Sequence, residues 1–281
     1  MPEGDTVYRT AARLHAALAG KTLTRSDFRV PALATKDLSG AAVDRVRPVG
    51  KHLFIDLSGA ADRRLSIHSH LMMEGAWHVY ARGEKWRRPG FTARVVLRAG
   101  DTEAVGFDLG VLELTAAPEA AVAHLGPDLL GEDWDRVRAA ENLAADADRA
   151  LGLALLDQRV MAGIGNIYRN ELCFLAGLHP AAPVSAVPDP AALADSAHRL
   201  LTANALTPVR CTTGDRRRGR ELWVYGRDRR PCRRCGTAIV RGSLGTGSGP
   251  AAERVVYFCP ACQPVTPGSG PVRRRTGSAG R

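Results

Sequence analysis

The sequence predicts an α+β chain of several domains: an N-terminal helix, an antiparallel β-sandwich, a helical middle region and a C-terminal β-hairpin built on paired cysteines. Three observations carry this. Apolar residues recur at helical spacing over residues 4–19. Short alternating apolar runs separated by glycine-containing turns follow from about residue 22 to 114. Two C-x-x-C pairs then close the chain between Cys232 and Cys262.

The first helix follows from Val7, Leu14 and Leu18 on one face, with Ala11, Ala12, Ala16 and Ala17 between them and Gly20 as the stop. The strand-like runs include 53–57, 65–68, 77–80, 94–97 and 111–114, at the turn spacing of an antiparallel sandwich or barrel. Helices are expected near 117–125, 132–145, 149–158, 167–176 and 189–204, the last opened by Asp189 as cap and Pro190 as first residue. Two turn-like segments interrupt them, 161–165 and 177–180. Residues 205–230 read as a basic, irregular connector, and 264–281, rich in Pro, Gly, Ser and Arg, as a disordered tail.

Charge is distributed unevenly. The 281 residues carry a net +10, yet residues 205–281 alone hold 16 arginines, no lysine and four acids, a local +12, while residues 1–204 are close to neutral. That asymmetry points to a polyanionic partner engaged at one end. The only lysines are Lys21, Lys36, Lys51 and Lys85, so each invites a question about its role. No apolar run is long enough to span a membrane, and Met1–Asp5 lacks the basic and apolar regions of a secretory signal. The expected setting is cytoplasmic and reducing, where structural disulfides are disfavoured and the six cysteines need another explanation.

Cys232, Cys235, Cys259 and Cys262 supply it. Two close pairs 23 residues apart fit one tetrahedral zinc ion held by four thiolates, joining hairpin arms too small to be held by apolar burial. The surplus linker length is assigned to a flexible stretch, 242–249, and Cys173 and Cys211 to ordinary thiols. Arg233, Arg234, Arg241 and Arg254 lie on or near the hairpin, where a guanidinium can be held against a phosphate.

At the other end, Pro2 follows Met1 and precedes Glu3. If Met1 is removed, Pro2 carries a secondary amine titrating near about 8, against about 10.4 for lysine. Such an amine attacks an aldehyde-level carbon to give an iminium electron sink, with Glu3 placed to move the proton.

Five motifs, in order over residues 2–263, resemble the formamidopyrimidine-DNA glycosylase and endonuclease VIII family. They are the start Met1-Pro2-Glu3-Gly4-Asp5; Gly50-Lys51-His52-Leu53; Gly163-Ile164-Gly165-Asn166-Ile167-Tyr168 with Glu171; the stretch 221–227; and Arg254 with 257–263. The resemblance implies a catalytic sandwich domain over 2–115, a helix–two-turn–helix domain over 116–222, a zinc ribbon over 223–263 and the basic tail over 264–281. It implies a bifunctional DNA glycosylase and abasic-site lyase of base excision repair, acting on damaged double-stranded DNA. Whether single-stranded or bubble DNA is also a substrate is left open by the sequence, and a monomer is the default expectation because turning out one nucleotide needs no symmetric site. Pro2 is then the nucleophile, Glu3 the proton shuttle, and Lys51, Asn166 and Arg254 the phosphate contacts, Gly163 and Gly165 allowing close backbone approach.

An enzyme that turns a nucleotide out of the helix needs a wedge in the gap. Met73 is the candidate by resemblance, with Leu71 and Met72 beside it, although core packing explains such a methionine pair equally well. His68 and His70 share a strand face, but two histidines without a third ligand read as structural. The stretch Phe107-Asp108-Leu109-Gly110 lacks the arginine of the 8-oxoguanine-preferring branch, and the basic loop 212–220 is short. Both departures favour the endonuclease VIII-like branch, which acts mainly on oxidised pyrimidines. The alternatives are an enzyme preferring 8-oxoguanine or formamidopyrimidine, a catalytically inactive damage-binding protein, and a zinc-ribbon module of transcription or RNA handling on an unrelated body.

Overall fold

The computed structural model describes residues 2–60, 63–245 and 253–274. Met1, residues 246–250 of the glycine-rich stretch, and Arg275 and Arg281 of the tail lie outside the described residues. The chain divides into two compact units, Met1–His124 and Leu125–Arg281.

The first unit opens with helix α1, Gly4–Leu18, at the predicted place. Its buried face is Val7, Ala11, Leu14 and Leu18, which share a core with Leu53, Ile55, Leu57 and Ile67. Eight strands follow: β1 (Arg25–Phe28), β2 (Ala42–Val49), β3 (His52–Ala60), β4 (Arg63–His70), β5 (Ala76–Ala81), β6 (Ala93–Ala99), β7 (Thr102–Phe107) and β8 (Val111–Thr115). They form two four-stranded antiparallel sheets, ordered β2-β3-β4-β8 and β1-β6-β7-β5, with the apolar core between them. Strand alternation places Leu53, Ile55 and Leu57 inward. Phe54 faces the other way and is nonetheless fully buried, because His68 stacks on it at 4.7 Å and the Arg47 guanidinium lies 5.0 Å from its ring. Pro48 is tolerated in β2 because that strand is an edge. Helix α2, Pro118–Val122, ends the unit.

The second unit contains α3 (Arg136–Ala144), α4 (Leu151–Ala154), α5 (Asn166–Leu175) and α6 (Pro190–Asn204) around a second core that includes Leu143, Leu155, Tyr168, Leu172 and Leu201. Asp135 and Asp189 cap α3 and α6, accepting from the amides of Arg138 and Ala192 at 2.9 Å each. The helix predicted over 149–158 is much shorter. The amides of Leu151 and Gly152 bond to the carbonyls of Ala182 and Pro180, and tighter bonds from Leu156 to Leu153 and from Asp157 to Ala154 end the helix early.

Strands β9 (Val240–Gly245), β10 (Glu253–Phe258) and β11 (Arg273–Arg274) make a sheet in the order β10-β9-β11. Two expectations change here. The stretch 242–245 is strand rather than flexible linker, with Gly242 facing Val256 of β10. Residues 264–274, expected as disordered tail, run back along β9: Arg273 pairs with Ser243, the Gly270 amide bonds to the Ala181 carbonyl at 3.0 Å, and Val272 joins Leu244 and Val256 in a small apolar cluster. Gly242 is required there, since a Cβ would fall 2.4 Å from the Val272 side chain.

Candidate active site and nucleic-acid interface

In the first unit, Pro2 is half-buried and directly precedes Glu3, the cap residue of α1. Glu3 occupies the cap position: its carbonyl accepts from the amides of Thr6 and Val7 at 2.9 and 3.0 Å, and the residue is fully buried. Asp5 is buried beside it and accepts from the Thr6 amide at 2.7 Å. Both acids stand at the opening of α1, where the positive end of the helix dipole favours negative charge.

Lys51 sits in the two-residue turn between β2 and β3, where Val49 pairs with His52. Gly50, at φ +57°, takes the left-handed position that a two-residue hairpin needs first. Lys51 is therefore presented on a rigid hairpin tip. Next to it lies a cluster that sequence reasoning found only in part. His52 Nδ1 lies 2.8 Å from His68 Nε2, and its ring centroid is 5.1 Å from those of His68 and His70 and 6.3 Å from that of His124. His68 Nδ1 faces the Glu113 carboxylate at 3.4 Å. Burial, then the neighbouring histidines and Lys51, push His52 down to about 4; burial is also the main cause of the lowering at His68 and His70. His52 was legible as a residue of the lysine turn, but its pairing across strands to His70 appears only once the register is known.

The candidate wedge turn follows β4. Leu71 is buried in the sandwich core, which removes it as a wedge, whereas Met72 and Met73 are 53% and 59% exposed. Core packing therefore does not explain the two methionines.

In the second unit, Gly163 takes φ +113° and Gly165 precedes Asn166, the first residue of α5. The turn is shaped by Gln158, whose side chain accepts from the Gly163 amide at 3.0 Å and donates to the carbonyls of Leu156 and Ile164 at 2.9 and 3.0 Å. Asn166 is nearly buried. It donates to the Val255 carbonyl at 3.1 Å and accepts from Arg169. The fully buried Arg169 donates to the same carbonyl at 2.8 Å, and Asn170 accepts from the Tyr257 amide at 2.6 Å. Three polar side chains of α5 thus fix β10, which presents Arg254 exposed on its surface.

Glu171, buried on the same helix, accepts from the amides of Trp223, Val224 and Tyr225 at 2.7, 2.9 and 2.9 Å and from the Thr212 hydroxyl. One carboxylate organises both ends of the loop 212–225. The sequence singled out Glu171 only as part of the motif that begins at Gly163. Arg233 and Arg234, expected near DNA, are engaged by the protein itself: Arg233 donates to the Leu222 carbonyl at 3.0 Å, and the guanidinium of the exposed Arg234 lies 4.6 Å from the Phe174 ring and 5.9 Å from that of Trp223.

The four predicted ligands converge. The sulfurs of Cys232, Cys235, Cys259 and Cys262 all lie within 4.8 Å of one another, with Cys235 to Cys259 at 3.4 Å and Cys232 to Cys262 at 4.0 Å. A tetrahedral ion with metal–sulfur bonds of about 2.3 Å needs sulfurs roughly 3.8 Å apart. Amides of Arg234 and Cys262 point at the sulfurs of Cys232 and Cys259 at 3.4 and 3.5 Å, a donor set suited to thiolates. These cysteines could hold a metal ion, and among the described residues no other group of three or more ligating side chains gathers in this way. Cys173 is different: burial pushes its thiol up to about 12. No described helix is long and apolar enough to cross a membrane.

Residues 1–108 match the formamidopyrimidine-DNA glycosylase N-terminal domain, and residues 125–206 match the formamidopyrimidine-DNA glycosylase H2TH domain. The chain belongs to the formamidopyrimidine-DNA glycosylase family. Within it, similarity is high to proteins named for endonuclease 8. The chain is 56% identical over 265 residues to the DNA-(apurinic or apyrimidinic site) lyase Nei2 of Mycolicibacterium smegmatis, covering 94% of this chain and 99% of that one. It is 53% identical to the probable endonuclease 8 2 of Streptomyces coelicolor (100% and 98% covered) and 32% identical to endonuclease 8 of Escherichia coli (94% and 100%). The fold is shared with the formamidopyrimidine-DNA glycosylase of Lactococcus lactis, solved non-covalently bound to DNA containing an abasic site. That match has a TM-score of 0.75 at 23% identity, covering 94% of this chain and all of the other. In this family member the H2TH match covers α3 through α6, including Asn166 and Glu171, while the loop 212–225 that Glu171 holds lies beyond it.

Proposed function

We propose that the chain is a bifunctional DNA glycosylase and abasic-site lyase of the endonuclease 8 type, removing oxidised bases, mainly pyrimidines, from double-stranded DNA. The observation that carries the reading is the placement of Pro2 immediately before the fully buried Glu3 at the start of α1. With Met1 removed, the Pro2 nitrogen lone pair attacks C1′ of the damaged nucleotide, the bond to the base breaks, and the departing base takes up the proton that the Pro2 nitrogen gives up. Glu3 protonates the ring oxygen as the sugar opens, leaving an iminium on Pro2. The iminium acidifies C2′–H, and loss of that proton expels the 3′-phosphate. A second proton loss expels the 5′-phosphate, and water then releases the sugar remnant as an unsaturated aldehyde and restores the amine.

Lys51, on its hairpin tip, and the exposed Arg254 supply positive charge for phosphates flanking the lesion. Asn166 reaches a phosphate by exchanging its Val255 partner. Met73 enters the gap left by the turned-out nucleotide. The four cysteines hold one zinc ion, whose chemistry here is to fix the ribbon that bears Arg254. The endonuclease 8 names of relatives at 53% identity support the branch, as does the absence of arginine from Phe107-Asp108-Leu109-Gly110.

Borohydride trapping tests the reading. Protein lacking Met1 and loaded with zinc is incubated with duplex DNA carrying an abasic site, and the reduced covalent adduct is resolved by mass. The adduct is expected with the native chain, attached by peptide mapping to the Pro2 nitrogen, and diminished with Pro2→Gly, whose primary amine replaces the secondary one. Attachment to any other residue would place the nucleophile elsewhere, and no adduct in the native protein would favour a damage-binding role without catalysis.

A further inference from the structure

The two exposed methionines stand on a turn with an unusual support. The Gly75 amide closes the turn on the Leu71 carbonyl at 2.8 Å, and a Cβ on Gly75 would lie 2.4 Å from that oxygen. Met72, a non-glycine residue, is held at φ +51°, with its amide donating to His70 Nδ1 at 3.0 Å. Beside it runs the turn from β7 to β8, where Asp108 is likewise held at φ +47°. Left-handed backbone at non-glycine residues is unfavourable and persists only where surrounding contacts impose it. The two turns touch: the Gly110 amide donates to the His70 carbonyl at 3.1 Å, and a Cβ on Gly110 would lie 2.3 Å from the Met72 side chain.

One side chain from a third segment joins them. Arg88 Nη1 donates to the Glu74 carbonyl at 2.7 Å and to Asp108 Oδ2 at 3.1 Å. Arg94 reaches the other oxygen of Asp108 at 3.9 Å. Arg88 is about one-third exposed, and its position on the strand-poor segment 82–92 gave no sequence signal for this role.

We propose that Arg88 is a positioning residue for the methionine wedge. A single guanidinium nitrogen bridges the carbonyl at the end of the wedge turn and the carboxylate of the adjacent strained turn. It thereby holds Met72 and Met73 out of the sandwich in one orientation. The inference rests on the glycosylase reading and on the wedge in particular. A wedge is needed most when a paired, stacked base must be turned out, and least at an abasic site, which has no base to unstack. Loss of Arg88 therefore separates base excision from strand cleavage. A mispositioned group of this kind costs about tenfold or more in the step it serves.

The test compares native protein, Arg88→Ala, Arg88→Lys and Met73→Ala in single-turnover assays at saturating enzyme. One duplex carries an oxidised pyrimidine and the other a preformed abasic site, and 2-aminopurine beside the lesion reports unstacking. Arg88→Ala is expected to slow excision of the oxidised base about tenfold and to damp the 2-aminopurine signal, as Met73→Ala does, while abasic-site cleavage stays within about twofold. Arg88→Lys, which keeps the charge and a single donor nitrogen on a shorter side chain, is expected to fall between. Equal loss on both substrates with a shallower salt dependence of binding would make Arg88 a phosphate contact and overturn the proposal. Native behaviour of Arg88→Ala beside an impaired Met73→Ala would overturn it too. An unimpaired Met73→Ala would instead remove the wedge on which it rests, and trapping at Pro2 would still stand or fall separately.

Discussion

The side-chain amide of Asn166 donates to the main-chain carbonyl of Val255 at 3.1 Å, one residue beyond Arg254. Arg169 donates to the same oxygen at 2.8 Å, so two side chains from the first turn of α5 fix the backbone of the hairpin where Arg254 is displayed. The helix supplies position and the hairpin supplies charge.

Arg254 is exposed on a backbone held in this way, so truncating it should remove a charge without loosening the fold. Arg254→Ala is expected to weaken DNA binding alike across sequences and to reduce the slope of log K against log salt by about 1, the loss of one phosphate contact. Binding isotherms at several salt concentrations check this; a loss that depended on base sequence would contradict a phosphate role.

The frame of this architecture was legible because local rules and tertiary demands agree in it. Helix α1 is written in the spacing of Val7, Leu14 and Leu18, and the cysteine cluster in the spacing of its ligands. What escaped depends on partners distant in sequence. The roles of Arg88 and Arg169 lie in carbonyls they reach on other segments, which no periodicity encodes. The fold-back of residues 264–274 escaped because Pro and Gly there read as disorder, whereas Gly242 opposite makes room for Val272. Arginines near the ribbon looked alike in sequence; their contacts separate Arg233, bonded to the Leu222 carbonyl, and Arg234, exposed but lying over the Phe174 ring, from Arg254, exposed on β10.

The ribbon core contains Cys232 and Cys259 among few apolar side chains, Phe174, Val224 and Ile239. So small a cluster depends on the crosslink that a metal provides. Cys232→Ser should lower bound zinc well below one equivalent and abolish tight DNA binding. The separate core of residues 1–124 should keep its own unfolding transition. Metal analysis together with differential scanning calorimetry reads both, and full affinity in the metal-free variant would exclude the ribbon as a grip.

Glu171 presents acceptors to three consecutive amides and a hydroxyl while fully buried. Glu171→Gln keeps the shape but turns an NH2 group toward some of those donors. Charged hydrogen bonds of this kind are worth about 1.5–3 kcal/mol each and do not add. A destabilisation of roughly 2–4 kcal/mol is therefore expected in denaturant melts, accompanied by faster proteolysis within 212–225. An unchanged melt would mean that the loop is held by Arg233 and Trp223 instead.

The histidine cluster beside Lys51 sets a pH dependence whose sign follows from the direction of the shifts. His52 is faced by His68, His70, His124 and Lys51, and Glu113 stands behind His68; burial and these cations lower His52 to about 4 from an ordinary value near 6.5. The folded state therefore holds fewer protons on this group than the unfolded chain between about pH 6.5 and 4. Stability from the neutral cluster is fully present above about 6.5 and is lost as pH falls through that window. The carboxylates held below their ordinary values by arginine and hydroxyl partners, such as Asp157 beside Arg159 and Arg149, lose their contribution at still lower pH. His52→Asn, which cannot take up a proton, should flatten the decline between pH 6.5 and 4 and leave the more acidic limb in place. Melting temperatures measured across pH 3–8 for both proteins decide it. Parallel curves would show that the three remaining histidines, rather than His52, govern the acid response.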